Sequence, residues 1–296
     1  MIMLFTSHLR KAFSLVELVF AIVVLGIVAS IGAEIIVQVY ENYITQRALH
    51  RTSSKTELAA SQLANRLAYA IPDTIIARQS ASTFQPISNV PNKNYSTLQW
   101  TGYDAESFTF TGTPGWSGFC DVDNAGTGTN ALITPGSALG TANTIIGHLS
   151  GTEAKSLANA AIFFPTHYDE NTIGYAGQTG TTSVTRVTSG TGTTFTLDTV
   201  AAGSRDISEH YKLAWSSYAI VPVLDSNGLY TLNLHHNFQP WDGDDYSSAT
   251  ITPLIRNVSV FNFTGTGNTI RFKLCTQENI GGTYPITTCK EKAVFR

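Results

Sequence analysis

Residues 10–33 read RKAFSLVELVFAIVVLGIVASIGA, and this stretch decides the architecture of the N-terminal part of the chain. A short basic segment ends at Ala12, and a long apolar run begins at Phe13 with one carboxylate, Glu17, near its start. About 20 apolar residues are enough for a helix to cross a bilayer. An ionisable group within such a helix is costly and usually has a function. The stretch therefore predicts a membrane-spanning helix in which Glu17 does more than anchor.

Two simpler interpretations of the apolar run fit less well. A cleaved secretory signal peptide has an apolar core of roughly 7–15 residues followed by a small-x-small cleavage site. The run from Phe13 to Val39 is longer than that core. A plain single-pass anchor fits the length but gives no reason for Glu17 near the start.

The same stretch resembles the processing motif of type IV prepilins and type II secretion pseudopilins. The family pattern is a basic leader, a small residue, Phe, and then a T/S-L-I/V-E-L run. The residues that carry the resemblance are Arg10, Lys11, Ala12, Phe13, Ser14, Leu15, Val16, Glu17 and Leu18. Two positions differ from the usual pattern: Ala12 stands where the family nearly always has Gly, and Glu34 stands where many major pilins have a mid-helix proline.

The resemblance implies a processing site and an assembly residue. A prepilin peptidase would cleave between Ala12 and Phe13, and the new amine of Phe13 would be N-methylated. Glu17 would then pair with that amine, on the same chain or on a neighbouring subunit, because pairing offsets part of the cost of a carboxylate in a bilayer. The expected partners are the prepilin peptidase, other pilin or pseudopilin subunits and the inner membrane.

The helical pattern continues well beyond the apolar run. No proline occurs between Met1 and Ile71, and Pro72 is expected to end the helix because its ring clashes with the preceding turn. Apolar residues recur at mostly helical spacings in the second half and predict one packing stripe. These residues are Val37, Tyr40, Ile44, Leu49, Leu58, Leu63, Leu67, Ala70 and Ile71.

After Pro72 the pattern changes to short apolar or β-branched runs between Gly, Asn, Pro and Thr clusters, which is typical of strands. Strands are expected at 98–101, 107–111, 160–164, 183–187, 194–200, 218–224, 229–234, 258–263 and 269–274. Two hairpins are the clearest, 218–234 around the turn 225–228 and 258–274 around the turn 265–268. A short helix is expected near 153–160. The predicted fold class is α+β, with a long N-terminal helix packed on an antiparallel β-rich domain, as in pilins.

These patterns and the resemblance to prepilins together imply four segments, in which the cleavage of the leader and the polymerisation role of the helix are expected from the resemblance. Residues 1–12 form a cleaved basic leader, 13–39 the transmembrane and polymerisation half of the helix, and 40–72 its amphipathic half. The remainder, 73–296, is a periplasmic β-rich domain with an insertion or long surface loop around 112–151. The leader's Arg10 and Lys11 favour a cytoplasmic N-terminus, which places the rest outside the inner membrane of a bacterium.

Three cysteines are present, and an oxidising compartment favours one disulfide among them. Cys275 and Cys289 flank a turn-rich segment near the C-terminus and are the expected pair. Cys120 is then left over. No Cys-x-x-Cys or close Cys/His spacing indicates a metal site.

Two acidic turns are the candidate calcium sites. Asp121 and Asp123 open a loop that partly matches a calcium-binding pattern, but the third ligand position is Ala125 and no closing Glu follows. Asp242, Asp244 and Asp245 form the second turn. Hydrogen-bonded surface turns are the expected structures, with calcium as the alternative. No other cofactor is indicated.

Other functional classes are poorly supported. The net charge of −3 gives no basic surplus for nucleic-acid binding, and no nucleophile elbow, phosphate loop or zinc-protease motif occurs, so an enzyme is not expected. Trp116, Trp241 and Tyr246 lie in loop-like segments and are expected to cover the core of the domain or, alternatively, to form an exposed partner surface.

The C-terminal segments 254–263 and 270–274 resemble the last hairpin of J-type pseudopilins and W-type minor pilins. The expected function is that of a minor subunit that initiates or caps a type II secretion pseudopilus or a type IV pilus. The sequence leaves the choice between the two systems open. The alternative is a membrane-anchored binding or adhesin module that is not built into a filament.

Overall fold

The computed structural model describes residues 14–80, 82–90, 95–109, 111–165, 167–177, 184–199, 206–281 and 285–295. Ala12 and Phe13 therefore lie outside the described residues. The chain divides into two compact units. One comprises residues 1–51 and 279–286, and the other comprises 52–278 and 287–296.

The first element is helix α1, Leu15–Ala68, which is 54 residues long. At its start, the amide of Leu18 donates to the carbonyl of Ser14 at 3.1 Å. At its end, the chain leaves the helix and the amide of Ile71 donates to the carbonyl of Thr101 at 2.9 Å. The long helix predicted from the sequence is thus confirmed, and it ends three residues before the predicted limit at Ile71.

The N-terminal half of α1 is apolar nearly all round and its side chains are exposed. It is the one helix among the described residues that is long and apolar enough to cross a membrane, by length and composition. The large exposed apolar side chains of this half are Leu15, Val16, Leu18, Val19, Phe20, Ile22, Val23, Val24, Leu25, Ile27, Val28, Ile31, Ile35, Ile36, Val37, Val39, Tyr40 and Tyr43. This surface suits a lipid environment or other apolar helices.

The second unit is built on a large antiparallel sheet. Its strands are β1 (Ile76–Arg78), β2 (Phe84–Pro86), β3 (Thr97–Gly102), β9 (Ser216–Leu224), β10 (Tyr230–Phe238), β11 (Thr250–Thr266), β12 (Thr269–Glu278) and β13 (Ile286–Phe295). They lie in the order β13-β12-β11-β10-β9-β3-β1-β2. The register from β2 to β12 is antiparallel throughout. The helix plus antiparallel sheet confirms the predicted α+β class.

The C-terminal part of α1 packs on this sheet through one stripe of small and apolar side chains. The buried members of the stripe are Thr52, Thr56, Ala59, Ala60, Leu63 and Leu67. They meet a core that the strands supply from one face, including Leu98, Trp100, Ile220, Leu232, Leu234, Phe272 and Leu274. The predicted stripe was partly wrong, because Leu58 is 62% exposed while the smaller Ala59 and Ala60 are buried.

A second sheet is formed by a segment inserted in the sequence between two neighbouring strands of the first sheet. β3 pairs directly with β9, and Gly102 lies opposite Ser216. Residues 103–215, the insert module, therefore leave the large sheet at one point and return to it at the same point. The module contains helices α2 (Ala105–Phe108) and α3 (Leu139–Ser150) and strands β4 (Ala131–Ile133), β5 (Ala161–Phe163), β6 (Thr185–Thr191), β7 (Thr194–Leu197) and β8 (Lys212–Ala214).

The insert module has its own sheet, in the order β4-β7-β6-β5-β8, and its own core. Trp116, Leu132, Leu139 and Phe195 are all fully buried there. The insertion expected around 112–151 thus lies within a longer insert, 103–215, which has its own sheet and core in place of a surface loop. Strand β4 lies within Gly- and Thr-rich sequence and, at three residues, is too short to give a strand pattern.

Further local predictions had mixed outcomes. Both predicted hairpins are confirmed: Leu224 pairs with Tyr230, and Thr266 pairs with Thr269. The strand predicted at 107–111 was wrong, since this region holds the short helix α2. Strands β1, β2, β4, β8 and β13 and helix α3 were not predicted, and the region 153–160 forms two 3₁₀ turns, Gly151–Glu153 and Leu157–Asn159.

Helix α2 begins where it does because of the buried carboxylate of Asp104. One oxygen of Asp104 accepts a hydrogen bond from the amide of Ser107 at 3.2 Å, which caps the helix. The residue is 1% exposed, and this burial raises the pKa of its carboxyl from 3.8 to about 6, with the hydrogen bonds from Ser107 opposing the rise. Between about pH 4 and about pH 6, the folded protein therefore keeps a proton on Asp104 that the unfolded chain has lost.

We expect Asp104 to make the folded state less stable as the pH rises from about 4 to about 6, by up to about 3 kcal/mol. A raised pKa in the folded state means that the unfolded chain binds fewer protons in this window, so stability falls with pH. Asp104→Asn keeps a capping oxygen and removes the titration, and should flatten this part of the profile. Urea unfolding across the pH range measures it. The exposed Asp123→Asn is the control, and an unchanged profile in Asp104→Asn would contradict the assignment.

Candidate assembly site on the N-terminal helix

The first turn of α1 is organised by Ser14 and Glu17. The side-chain oxygen of Ser14 accepts a hydrogen bond from the amide of Glu17 at 3.2 Å, so Ser14 is the N-cap. Ser-x-x-Glu is the spacing of a capping box, in which the glutamate can reach back to the N-cap amide. An acidic residue in the first turn also interacts favourably with the helix dipole. This local role of Glu17 was not predicted, although the Ser-x-x-Glu spacing is visible in the sequence.

Glu17 lies on an exposed, otherwise apolar surface. All residues from Ser14 to Phe20 are exposed. Glu17 has no ion-pair partner among the residues that the structure describes. The next acid along the helix is Glu34. The carboxylate thus belongs to the third residue of α1 and is free for a positive group that lies outside this part of the chain.

The C-terminal half of α1 is held to the last strands of the large sheet by polar contacts. Thr52 donates to the carboxylate of Glu278 at 2.8 Å. The hydroxyl of Thr56 donates to the carbonyl of Thr52 at 2.7 Å and also contacts the hydroxyl of Thr276. Thr52 and Thr56 thus contact two specific positions of β12, Glu278 and Thr276. They fix the register of the helix on the sheet as well as its attachment, because a hydrogen bond requires a defined geometry.

A second attachment joins α1 to the edge strand β13. The carboxylate of Glu57 binds Lys292 and also lies 3.5 Å from the ammonium of Lys290. The hydrogen bond from Lys292 lowers the pKa of Glu57. The three side chains are partly exposed, so the contact contributes mainly to placement and little to stability.

The structure joins Cys275 of β12 to Cys289 of β13 in a disulfide. Cys120 is free and buried in the insert module, and burial raises the pKa of its thiol to about 11. Cys120 is therefore an unreactive packing residue at neutral pH.

We expect the double variant Cys275→Ser/Cys289→Ser to lose about 3 kcal/mol of stability, because the bond closes a short loop in the unfolded chain. Urea unfolding with tryptophan fluorescence measures the loss. Treatment of the wild-type protein with dithiothreitol should produce a similar loss and should leave the double variant unchanged. Equal stability of the oxidised wild type and the variant would refute the prediction.

The first acidic turn is closed by its own hydrogen bonds. The side chain of Asn124 accepts from the amide of Gly126 at 2.9 Å, and the carbonyl of Asp121 accepts from the hydroxyl of Thr127 at 2.6 Å. Asp123 is exposed.

In the second acidic turn each carboxylate has a separate partner. Asp242 pairs with Arg186, Asp244 accepts from the amide of Gln239 at 3.2 Å, and Asp245 caps a 3₁₀ turn. No group of three metal-binding side chains converges anywhere in the described residues. Neither acidic turn, as far as the structure describes it, brings three metal-binding side chains together.

Two of the three loop aromatics do not lie on an exposed surface. Trp116 and Trp241 are fully buried, and the indole of Trp241 donates to the carbonyl of Asn159 at 3.0 Å. Tyr246 is half-buried, with its ring 5.9 Å from the ring of His235. The partner-surface interpretation of Trp116 and Trp241 was therefore wrong, and both residues belong to cores.

Residues 8–33 match a family model described as the prokaryotic N-terminal methylation motif. No curated protein and no solved structure matches the chain. The matched residues include Ala12, Phe13 and Glu17 and run into the first half of α1. The N-terminal segment is thus a prepilin-type methylation motif, which supports the resemblance to type IV pilins and pseudopilins. The motif implies processing by a prepilin peptidase and a structural rather than a catalytic family.

Proposed function

We propose that this chain is a minor subunit of a pilin-like filament, either a type II secretion pseudopilus or a type IV pilus, which it helps to initiate or cap. One observation carries the proposal: the methylation motif at 8–33 continues directly into the long helix α1. A cleaved and methylated N-terminus is useful when the apolar helix behind it moves from the bilayer into contact with other subunits. A single-pass anchored protein fits the exposed apolar half of α1.

In this proposal, processing and assembly are linked steps at one end of α1. Cleavage between Ala12 and Phe13 creates a positive amine one residue before the N-cap, Ser14. Glu17 lies in the first turn of α1 and carries the opposite charge. The methylated amine of Phe13 from a neighbouring subunit can therefore pair with it. The pair offsets the cost of a carboxylate in apolar surroundings and fixes the axial position of the incoming subunit.

The β-rich domain then supplies the contacts that differ between subunits. The attachments of Thr52, Thr56 and Glu57 to the last strands tie this domain to a fixed position along α1. The large insert module between β3 and β9 is additional to the helix and sheet that hold the subunit together, which supports a minor rather than a repeating subunit. The C-terminal hairpin of β11 and β12 supports a J-type or W-type role. The domain is expected on the periplasmic side of the inner membrane.

Mass spectrometry of the mature N-terminus tests the proposal. N-methylated Phe13 is the expected first residue in cells that contain a prepilin peptidase, and the unprocessed chain is expected in a peptidase-deficient strain. A mature protein that begins at Met1 in both strains would overturn the proposal and would favour an anchored binding or adhesin module. Deletion of the gene then separates the two systems: loss of protein export indicates secretion, and loss of twitching or adhesion indicates a pilus.

A further inference from the structure

The insert module carries an aromatic cleft of about 320 Å³ on its surface. Its lining residues are Phe108, Trp116, Ser117, Gly118, Pro165, His210, Tyr211 and Lys212. Phe108 is 39% exposed, and the neighbouring Phe119, whose ring lies 6.3 Å from that of His210, is 41% exposed. One partly exposed phenyl ring thus lies in the wall of the cleft and a second lies beside His210 of that wall, and apolar surface next to a cleft is common at binding sites.

Most polar groups of the cleft wall already have partners inside the module. The indole of Trp116 donates to the carbonyl of Asp104 at 2.8 Å. The hydroxyl of Tyr211 is 2.7 Å from that of Thr134, and the hydroxyl of Ser117 is 3.1 Å from the same threonine. A saccharide needs many free hydrogen-bonding groups, and this wall leaves few. The wall is therefore better suited to an apolar side chain.

The remaining polar side chains of the cleft are basic. Lys212 holds its ammonium 4.6 Å from the ring centre of Tyr103 and 5.8 Å from that of Phe108. It forms no ion pair with any residue that the structure describes. His210 precedes Lys212 by two residues in the chain, and its ring packs against that of Phe119. Lys212 is the one charged residue among those that line the cleft, although acids outnumber Lys and Arg in the whole chain.

We infer that this cleft is a docking site for a segment of a partner protein that presents an aromatic side chain beside a carboxylate. The aromatic side chain stacks on Phe108 and Phe119, and the carboxylate pairs with Lys212, which keeps its contact with the rings. The site adds a recognition surface to the proposed filament subunit. It does not depend on the processing of Phe13, so the two proposals can fail separately.

The acylation rate of Lys212 in the full-length protein in detergent micelles tests this inference, with peptide mass spectrometry as the readout. The probe is acetyl-Asp-Phe-amide, and the exposed Lys273 is the internal reference. At a probe concentration of twice its Kd, acylation of Lys212 should slow by about threefold while Lys273 is unaffected. Acetyl-Asn-Phe-amide and acetyl-Asp-Gly-amide should protect Lys212 much less.

Two variants complete the test. Phe119→Ser should abolish the protection, whereas Phe295→Ser, which removes a 76% exposed phenyl ring from β13, should retain it. Equal protection by all three peptides would reduce the effect to charge screening and overturn the inference. So would saturable protection by glucuronate but not by the peptide, which would assign the cleft to acidic saccharides, or unchanged protection in Phe119→Ser.

Discussion

Glu17→Ala is expected to leave membrane insertion and cleavage intact and to lower incorporation into filaments by about tenfold or more, since 1.4 kcal/mol of lost pairing is already a factor of ten. The expected loss has two sources, because Glu17 lies in the first turn of α1 where Ser14 caps the helix. One source is the charge that would attract the amine of Phe13. The other is the capping-box spacing with Ser14.

Glu17→Gln separates these two sources. Glutamine retains the capping-box pattern but carries no charge. If charge pairing drives assembly, Glu17→Gln should assemble as poorly as Glu17→Ala. If capping dominates, Glu17→Gln should behave like the wild type. Glu34→Gln, which removes the other acid of the apolar half, is the matched control and should assemble normally. Immunoblots of sheared filaments and of the membrane fraction measure the partition, and normal incorporation of both Glu17 variants would disprove an assembly role.

Leu63→Ala is expected to destabilise the β-rich domain by about 2–5 kcal/mol, whereas Leu58→Ala on the same helix should cost less than about 0.5 kcal/mol. Leu63 is 1% exposed within the core that includes Trp100, and Leu58 is 62% exposed. The two substitutions remove the same atoms from the same helix, so their difference isolates the packing of α1 on the sheet.

Urea unfolding of the full-length protein, followed by tryptophan fluorescence, compares the two leucine variants. Trp100 belongs to the same core as Leu63 and should report the transition. A second check is whether β13 becomes more exposed in Leu63→Ala than in Leu58→Ala. Glu57 of the same helix binds Lys290 and Lys292 of that strand, so loosening of the helix should release it. Similar losses for Leu58→Ala and Leu63→Ala would show that α1 is not packed on the sheet through the Leu63 stripe.

The sequence was most informative where one periodic signal extends over many residues. The apolar run and the absence of proline before Pro72 predicted α1 to within a few residues, and the alternation in β9 to β12 predicted both hairpins. The face that α1 buries was harder to predict, since Leu58 and Leu63 both fit a helical spacing. The sheet accommodates the small Ala59 and Ala60 at close approach, and that depends on the facing strands.

The insert module was only partly predicted, and the reason is physical. Strands β4 and β8 were missed because each is three residues long, which is too short for a periodic pattern, and their partners are distant in sequence. β4 pairs with β7 and β8 pairs with β5, so each strand is stabilised by non-local contacts. The burial of Trp116 and the cleft beside it follow from this tertiary structure. At the assembly site, by contrast, the local spacing of Ser14 and Glu17 contained the relevant signal.

The direct pairing of β3 with β9 also has a consequence for the order of folding. The large sheet joins residues that are separated by the whole insert module, and closing so long a loop in an unfolded chain costs conformational entropy and slows folding. A module that has already folded brings Gly102 and Ser216 together and removes most of that cost. We therefore expect the insert module to fold first. The stripe of α1 around Leu63 then remains uncovered until β9 and the later strands arrive, and the newly made subunit keeps an exposed apolar surface for longest where its helix must finally pack.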